Sequence, residues 1–186
     1  MYKSKGGKFK KSLKYLILII LILFISILMI FRGKTYIMVK YYYLNGVRKH
    51  KSKNISGAIS DYNTVLSYDS TYKLAYISKG SALIDNKEFD KAIEMYNKAI
   101  TLDSDNAQAY AYRGRAYYEL KDSANALNDL NKAISLDDKF AYAYYNRGLL
   151  KYTLFKEYDS GCADLLKSEK LGYKEAKEII GDGNCR

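Results

Sequence analysis

The chain has 186 residues, 48% of them hydrophobic, with 21 tyrosines and neither proline nor tryptophan, which suffices for one modest domain and an appendage. Its formal charge of +11 is concentrated: residues 1–60 hold 13 Lys/Arg and no Asp/Glu, while residues 61–186 hold 18 Lys/Arg against 20 Asp/Glu. The body is therefore near neutral, which argues against nucleic acid as the partner, since such a binder carries its basic stripe on the folded domain.

Met1 to Lys14 contains six lysines, two glycines and no acid, so residues 1–14 read as a basic disordered tail. Residues 15–31, YLILIILILFISILMIF, follow, and fourteen of these seventeen are Leu, Ile or Phe. As a helix they cover about 26 Å. With Lys14 snorkelling, that approaches the roughly 30 Å of a hydrocarbon core. Insertion is favoured by roughly 4 to 8 kcal/mol. There is no charged face, so the stretch reads as a transmembrane helix rather than one lying on a surface. It is longer than a signal-peptide core, and no small-x-small site or lipid-accepting cysteine follows, so an uncleaved signal anchor is expected. Lysines before the span outnumber Arg32, Lys34 and Lys40 just after it. That bias places the N-terminus inside and the rest of the chain outside the cytoplasmic (inner) membrane, in a single pass. The proline-free, Lys/Asn/Ile/Tyr-rich usage fits an AT-rich bacterial genome. Residues 32–38 read as a short linker.

Beyond them, Gly46, Gly80, Gly114 and Gly148 recur every 34 residues. A period of that length marks a stacked helical array. With each glycine placed eighth, the units are 39–72, 73–106, 107–140 and 141–174. Ala58, Ala92 and Ala126 then share the twentieth place, and Tyr62, Tyr96 and Leu130 the twenty-fourth. Val65, Ala99 and Ala133 share the twenty-seventh, and Tyr42, Tyr76, Tyr110 and Tyr144 the fourth. Small residues at two fixed places let two antiparallel helices approach closely, and the large residue beside them fills the groove. Interior glycine costs about 1 kcal/mol relative to alanine, so its repetition at one register implies close packing. The fourth unit slips by one residue: Gly161 takes its small place, with Leu165 and Ser168 following. Residues 173–180 read as a capping helix and 181–186 as a tail.

These motifs resemble the tetratricopeptide repeat (TPR) family. The carriers are Ala75-Tyr-Ile-Ser-Lys-Gly80 with Phe89, Ala92, Tyr96 and Ala99, then Ala109-Tyr-Ala-Tyr-Arg-Gly114 and Tyr144-Tyr-Asn-Arg-Gly148. The resemblance spans residues 39–180, and the ending from Ala163 to Ala176 resembles the related Sel1-like repeat. It implies an all-α fold, a right-handed α-solenoid of about four helix-turn-helix repeats after the transmembrane helix. It also implies a concave groove that binds peptide segments of partner proteins. The family's usual proline at the thirty-second place is replaced by Ser70, Ser104 and Asp138, which can serve as helix N-caps or turn residues.

The family's groove-lining places give Tyr43, Ile77, Ile84, Gln108, Arg115, Tyr118, Tyr142, Tyr145, Leu149 and Tyr152 as candidates for peptide contact. Its carboxylate clamp is not reproduced: Arg115 at a ninth place and Asn146 at a sixth do not make that set. Tyrosine offers stiff contact area with a polar tip, the kind of residue enriched in binding hot spots.

No catalytic constellation stands out. The single histidine, His50, reads as solvated, no phosphate loop sits between a strand and a helix, and the acidic turns at 103–105 and 137–138 read as caps. Cys162 and Cys185 are neither a CxxC pair nor a zinc set; they form one disulfide or remain two separate thiols. No enzyme activity, cofactor, metal or small-molecule substrate is expected. The expected partners are a protein or peptide in the groove and the lipid bilayer around residues 15–31. The expected role is a membrane-tethered, non-catalytic scaffold, with a structural spacer docking through its transmembrane helix as the alternative.

Overall fold

The computed structural model describes residues 6–181 and Cys185. Among these the chain is all α. The helices are α1 (Gly6–Lys51), α2 (Ile55–Tyr68), α3 (Lys73–Asp85), α4 (Phe89–Leu102), α5 (Ala107–Glu119), α6 (Ser123–Leu136), α7 (Ala141–Leu150), α8 (Tyr158–Lys170) and α9 (Lys174–Ile179). A π-turn over Lys151–Phe155 joins the end of α7. Helices pair as α1 with α2, α3 with α4, α5 with α6 and α7 with α8, and each pair stacks on the next. The result is a solenoid of four hairpins closed by a short cap.

The first helix departs from the expected layout. It runs unbroken for 46 residues, about 69 Å. It begins at Gly6, inside the segment expected to be disordered; residues 1–5 of that segment lie outside the described residues. It passes through residues 32–38, expected to be a linker, because nothing there stops a helix. There is no proline, and Gly33 has open space around it. From Leu16 to Phe31 its apolar side chains are all exposed. Ser26, the one hydroxyl in that stretch, donates to the Ile22 carbonyl at 2.9 Å, which satisfies it without solvent. Among the described residues this is one helix long and apolar enough to cross a membrane.

The repeated small residues sit at helix crossings. A methyl group on Gly46 or Gly80 would fall 2.6 Å from the ring of Tyr62 or Tyr96, and one on Gly114 2.9 Å from Leu130. Gly148 is closer still to backbone, 2.9 Å from the Gly161 carbonyl oxygen. Ala58, Ala92 and Ala126 are fully buried opposite these notches. The twenty-fourth and twenty-seventh places fill the core as Tyr62, Tyr96, Leu130, Val65, Ala99 and Ala133.

The slip in the fourth unit has a structural cause. Just past each first helix stands a lysine with left-handed backbone, at Lys53, Lys87, Lys121 and Lys156. The first three stand 34 apart and the last 35, and the extra residue is absorbed by the π-turn, where the Lys156 N–H reaches back five places to the Lys151 carbonyl. Gly161, Leu165 and Ser168 then recover the register and are buried.

Ser70, Ser104 and Asp138 lie in the turns, as one of the two readings had them, but none caps a helix. The acids one place earlier do the work. Asp69 Oδ1 accepts from the Thr71 N–H at 2.9 Å, and Asp137 Oδ1 from the Lys139 N–H at 3.0 Å. Asn54, Asn106 and Asp122 cap α2, α5 and α6 through their side-chain oxygens. At the C-terminus a disulfide joins Cys162 on α8 to Cys185, with Cα atoms 5.3 Å apart. Of the tail at 181–186, residues 182–184 and 186 lie outside the described residues.

Candidate functional site

The inner face is built by the first helices of the hairpins. Neighbouring first helices are laced by side chains 35 residues apart. Tyr43 meets Ser78 at 3.4 Å, Tyr118 meets Thr153 at 3.2 Å, and His50 Nε2 meets Asp85 at 3.0 Å. His50, expected to be solvated, thus ties two repeats together.

An aromatic ladder runs through the array. Tyr96 lies 6.0 Å from Tyr112 between ring centroids, Tyr112 4.9 Å from Tyr142, Tyr142 5.7 Å from Tyr173, and Tyr173 4.8 Å from Tyr145. Most contacts are tilted or edge-on, the arrangement the ring quadrupoles favour. Beside it a cavity of about 200 Å³ opens between Ser81, Ile84 and Asp85 of α3, Tyr112 and Arg115 of α5, Tyr142 of α7, and Tyr96 of α4. Arg115 Nε donates to Glu119 Oε1 at 2.7 Å, so its charge is partly balanced. Burial pushes the Tyr142 phenol up to about 12, although the Arg115 guanidinium pulls the other way. Burial also raises the Tyr173 phenol. Both stay neutral donors at ordinary pH.

The predicted groove residues do not all meet here. Ile84, Arg115 and Tyr142 line the cavity. Gln108 donates to the Tyr112 hydroxyl at 3.1 Å, and Tyr145 leans on Tyr173. Tyr118 is engaged with Thr153, and Leu149 is half-buried on the same helix face. Ile77 is 3% exposed and packs in the core with Leu83 and Tyr96, so it is not a contact residue. Tyr43 sits against Tyr62 and Tyr72 at 6.2 and 5.3 Å, between repeats. Tyr152 lies within the π-turn and meets Tyr158 at the start of α8, 5.0 Å between centroids. Asn146, 1% exposed, donates through Nδ2 to the Tyr142 carbonyl at 2.7 Å, while its buried Oδ1 accepts no hydrogen bond.

Tyr112 and Tyr173 are site residues that the repeat register did not single out. Tyr112 stands two places after the aligned tyrosine of its unit, and Tyr173 comes from the cap rather than from a repeat. Among the described residues no three His, Cys, Asp or Glu side chains cluster as a metal would need.

On the outer side, a second ladder holds the hairpins together. Arg113 grips Asp129 through two bonds of 2.7 and 2.8 Å and reaches Asn97 of the previous repeat. Arg147 does the same with Asp164 at 2.8 and 2.7 Å and with Asn131. The corresponding lysine of the second repeat, Lys79, has Met95 at the place of that aspartate and shares a pocket with it and Glu94; burial lowers its pKa, against the pull of Glu94.

A sequence model of the TPR repeat matches residues 80–121 and 114–154. Among solved structures, the crystal structure of MamA protein aligns at 28% identity and a TM-score of 0.62, covering 77% of this chain and 79% of that one. MamA from Desulfovibrio magneticus RS-1 aligns at 18% identity and a TM-score of 0.64, over 79% of this chain and 84% of that one. The first TPR of Spaghetti (RPAP3), solved with an HSP90 peptide, aligns at 21% identity and a TM-score of 0.60, over 63% of this chain and 93% of that one. No curated protein matches the sequence. Residues 80–154 therefore carry TPR repeats, and the hairpins on either side are similar to them in geometry and in their glycine crossings.

Proposed function

We propose that this chain is a membrane-tethered TPR scaffold that holds a peptide segment of a partner protein against its inner face, without catalysis. The observation that carries the reading is the cavity between three successive first helices. It combines the Ile84 side chain, neutral phenols and the Ser81 hydroxyl with one cation, Arg115, and one carboxylate, Asp85. Such a surface suits an extended peptide with apolar side chains and a polar backbone. The peptide-bound TPR domain of RPAP3 shows the fold in that use for another protein. The exposed apolar helix supports tethering. The disulfide fits repeats on the oxidising side of the membrane, with the N-terminus inside.

The test compares partner recovery from solubilised membranes. Arg115→Ala with Ile84→Asp should abolish recovery while leaving the fold and membrane fraction intact. Replacing residues 15–31 by an unrelated span should leave recovery unchanged. The reverse pattern would support the second reading, a spacer that docks on another membrane protein through its span. The unbroken α1 favours keeping that reading in view.

A further inference from the structure

A second opening lies where α1 leaves its exposed apolar stretch. The turn between α2 and α3 hangs beside it, and the two enclose a crevice of about 600 Å³. On the α1 side it is walled by Leu28, Phe31, Arg32 and Thr35; on the turn side by Tyr68 and Tyr72. Asp69 is also at the rim, but its carboxylate is occupied by the Thr71 N–H and hydroxyl at 2.9 and 2.7 Å. Arg32 makes no ion pair among the described residues.

Depth decides what fills it. Leu28 and Phe31 belong to the stretch that would lie in hydrocarbon, and Arg32 is the first charge beyond it. The turn residues share one crevice with these side chains, so they stand at the same level as the end of the span. That level is the headgroup layer. Tyrosines collect at that depth because an apolar ring with a polar tip suits it, and Tyr36, Tyr68 and Tyr72 are all found there. A crevice open to the bilayer edge, apolar below and cationic at its rim, matches one molecule type. We infer that it is a site for an anionic phospholipid of the surrounding bilayer, whose phosphate meets Arg32 and whose chains descend along Leu28 and Phe31. Cations near the membrane surface favour anionic lipid; Asp69 is the one acid lining the crevice and its carboxylate is turned to Thr71, while residues 1–60 supply basic side chains and no acid.

The site rests on the tether proposed above, and the experiment separates the two. The full chain is extracted from membranes in mild detergent, mixed with phosphatidylglycerol or phosphatidylcholine, and weighed intact by native mass spectrometry. One phosphatidylglycerol should be retained in preference to phosphatidylcholine. Arg32→Gln should lower its retention by about fivefold. Thr35→Trp, which fills the crevice from its half-buried wall on α1, should abolish retention while the repeats melt unchanged. A spin label on Ser70→Cys in nanodiscs should report the interface, and one on Ser52→Cys, at the far end of the hairpin, open water. A chain recovered in the soluble fraction overturns the tether and the site with it. A membrane-bound chain that retains no lipid, or retains it equally in Thr35→Trp, overturns the site alone. So does a lipid-free dimer, which would make a second copy the occupant.

Discussion

Gly148→Ala isolates the close crossing of the last hairpin. Alanine would gain about 1 kcal/mol in helix propensity over glycine. Its methyl group would meet the Gly161 carbonyl oxygen at 2.9 Å and the Leu165 amide nitrogen at 3.1 Å. Both are backbone atoms of α8, so relief requires moving the helix rather than turning a side chain. Overpacking of that kind costs about 1 to 3 kcal/mol, and rigid backbone on the far side places this case at the upper end. The net loss should be about 2 kcal/mol, a fall of about 4 to 8 °C in the unfolding midpoint for a chain of this size. Circular dichroism of the full chain in detergent measures it. Gly33→Ala is the internal control, because nothing lies within 4 Å of its added methyl group. It should not lower the midpoint. A Gly148→Ala variant melting at or above the parent would refute the claim that the repeated glycines mark tight crossings.

Four further outcomes follow from the same structure. Met95→Asp should raise stability by about 0.5 to 1 kcal/mol and raise the Lys79 pKa, by giving Lys79 the partner Arg113 has in Asp129; NMR titration and thermal melts check both. Lys87→Gly should stabilise by about 0.5 to 1 kcal/mol, because Lys87 holds a left-handed conformation at φ 61° that glycine adopts freely; a chemical denaturation curve reads it. Reducing the Cys162–Cys185 bond should cost about 3 kcal/mol in the chain-entropy model for a separation of 23, with hydrogen exchange rising first in α9. At alkaline pH the folded chain should lose stability. Tyr62 and Tyr142 keep their protons to about 12, whereas the unfolded chain releases them near pH 10. Each therefore removes about 1.4 kcal/mol per pH unit between those values, seen as tyrosinate absorbance rising together with unfolding.

The period was readable because the packing constraint is local and strict. A 34-residue ruler of Gly, Ala and large residues reports helix crossings directly, and it located all four hairpins. The same ruler carried a second signal that passed unread. Lys53, Lys87 and Lys121 keep the identical spacing, but lysine does not announce left-handed backbone as glycine does. The slip before Gly161 was visible as a count; its absorption by a π-turn was not, because no residue type marks that turn. Residues 32–38 looked like a linker because their composition changes, yet helix continuity depends on hydrogen bonds that Arg32, Lys34 and Thr35 support as well as leucine does.

The groove was harder to read. A place in the repeat sets a direction, but burial depends on the next repeat. Ile77 points inward and is sealed by its neighbours, whereas Ile84, two turns on, is not. Tyr152 falls inside the π-turn, where the repeat register no longer sets what a side chain meets. Tyr173 entered from outside the repeat altogether.

The unbroken α1 acts as a mast rather than a rope. A repeat array hung on a floppy leash sweeps a hemisphere and meets its targets at any angle. One welded to a single rigid rod points its inner face along one compass bearing, at a set height. In the tethered arrangement proposed above, twist or tilt imposed on residues 16–31 would travel straight into the first hairpin, and thickness or crowding of the bilayer would steer where the array reaches.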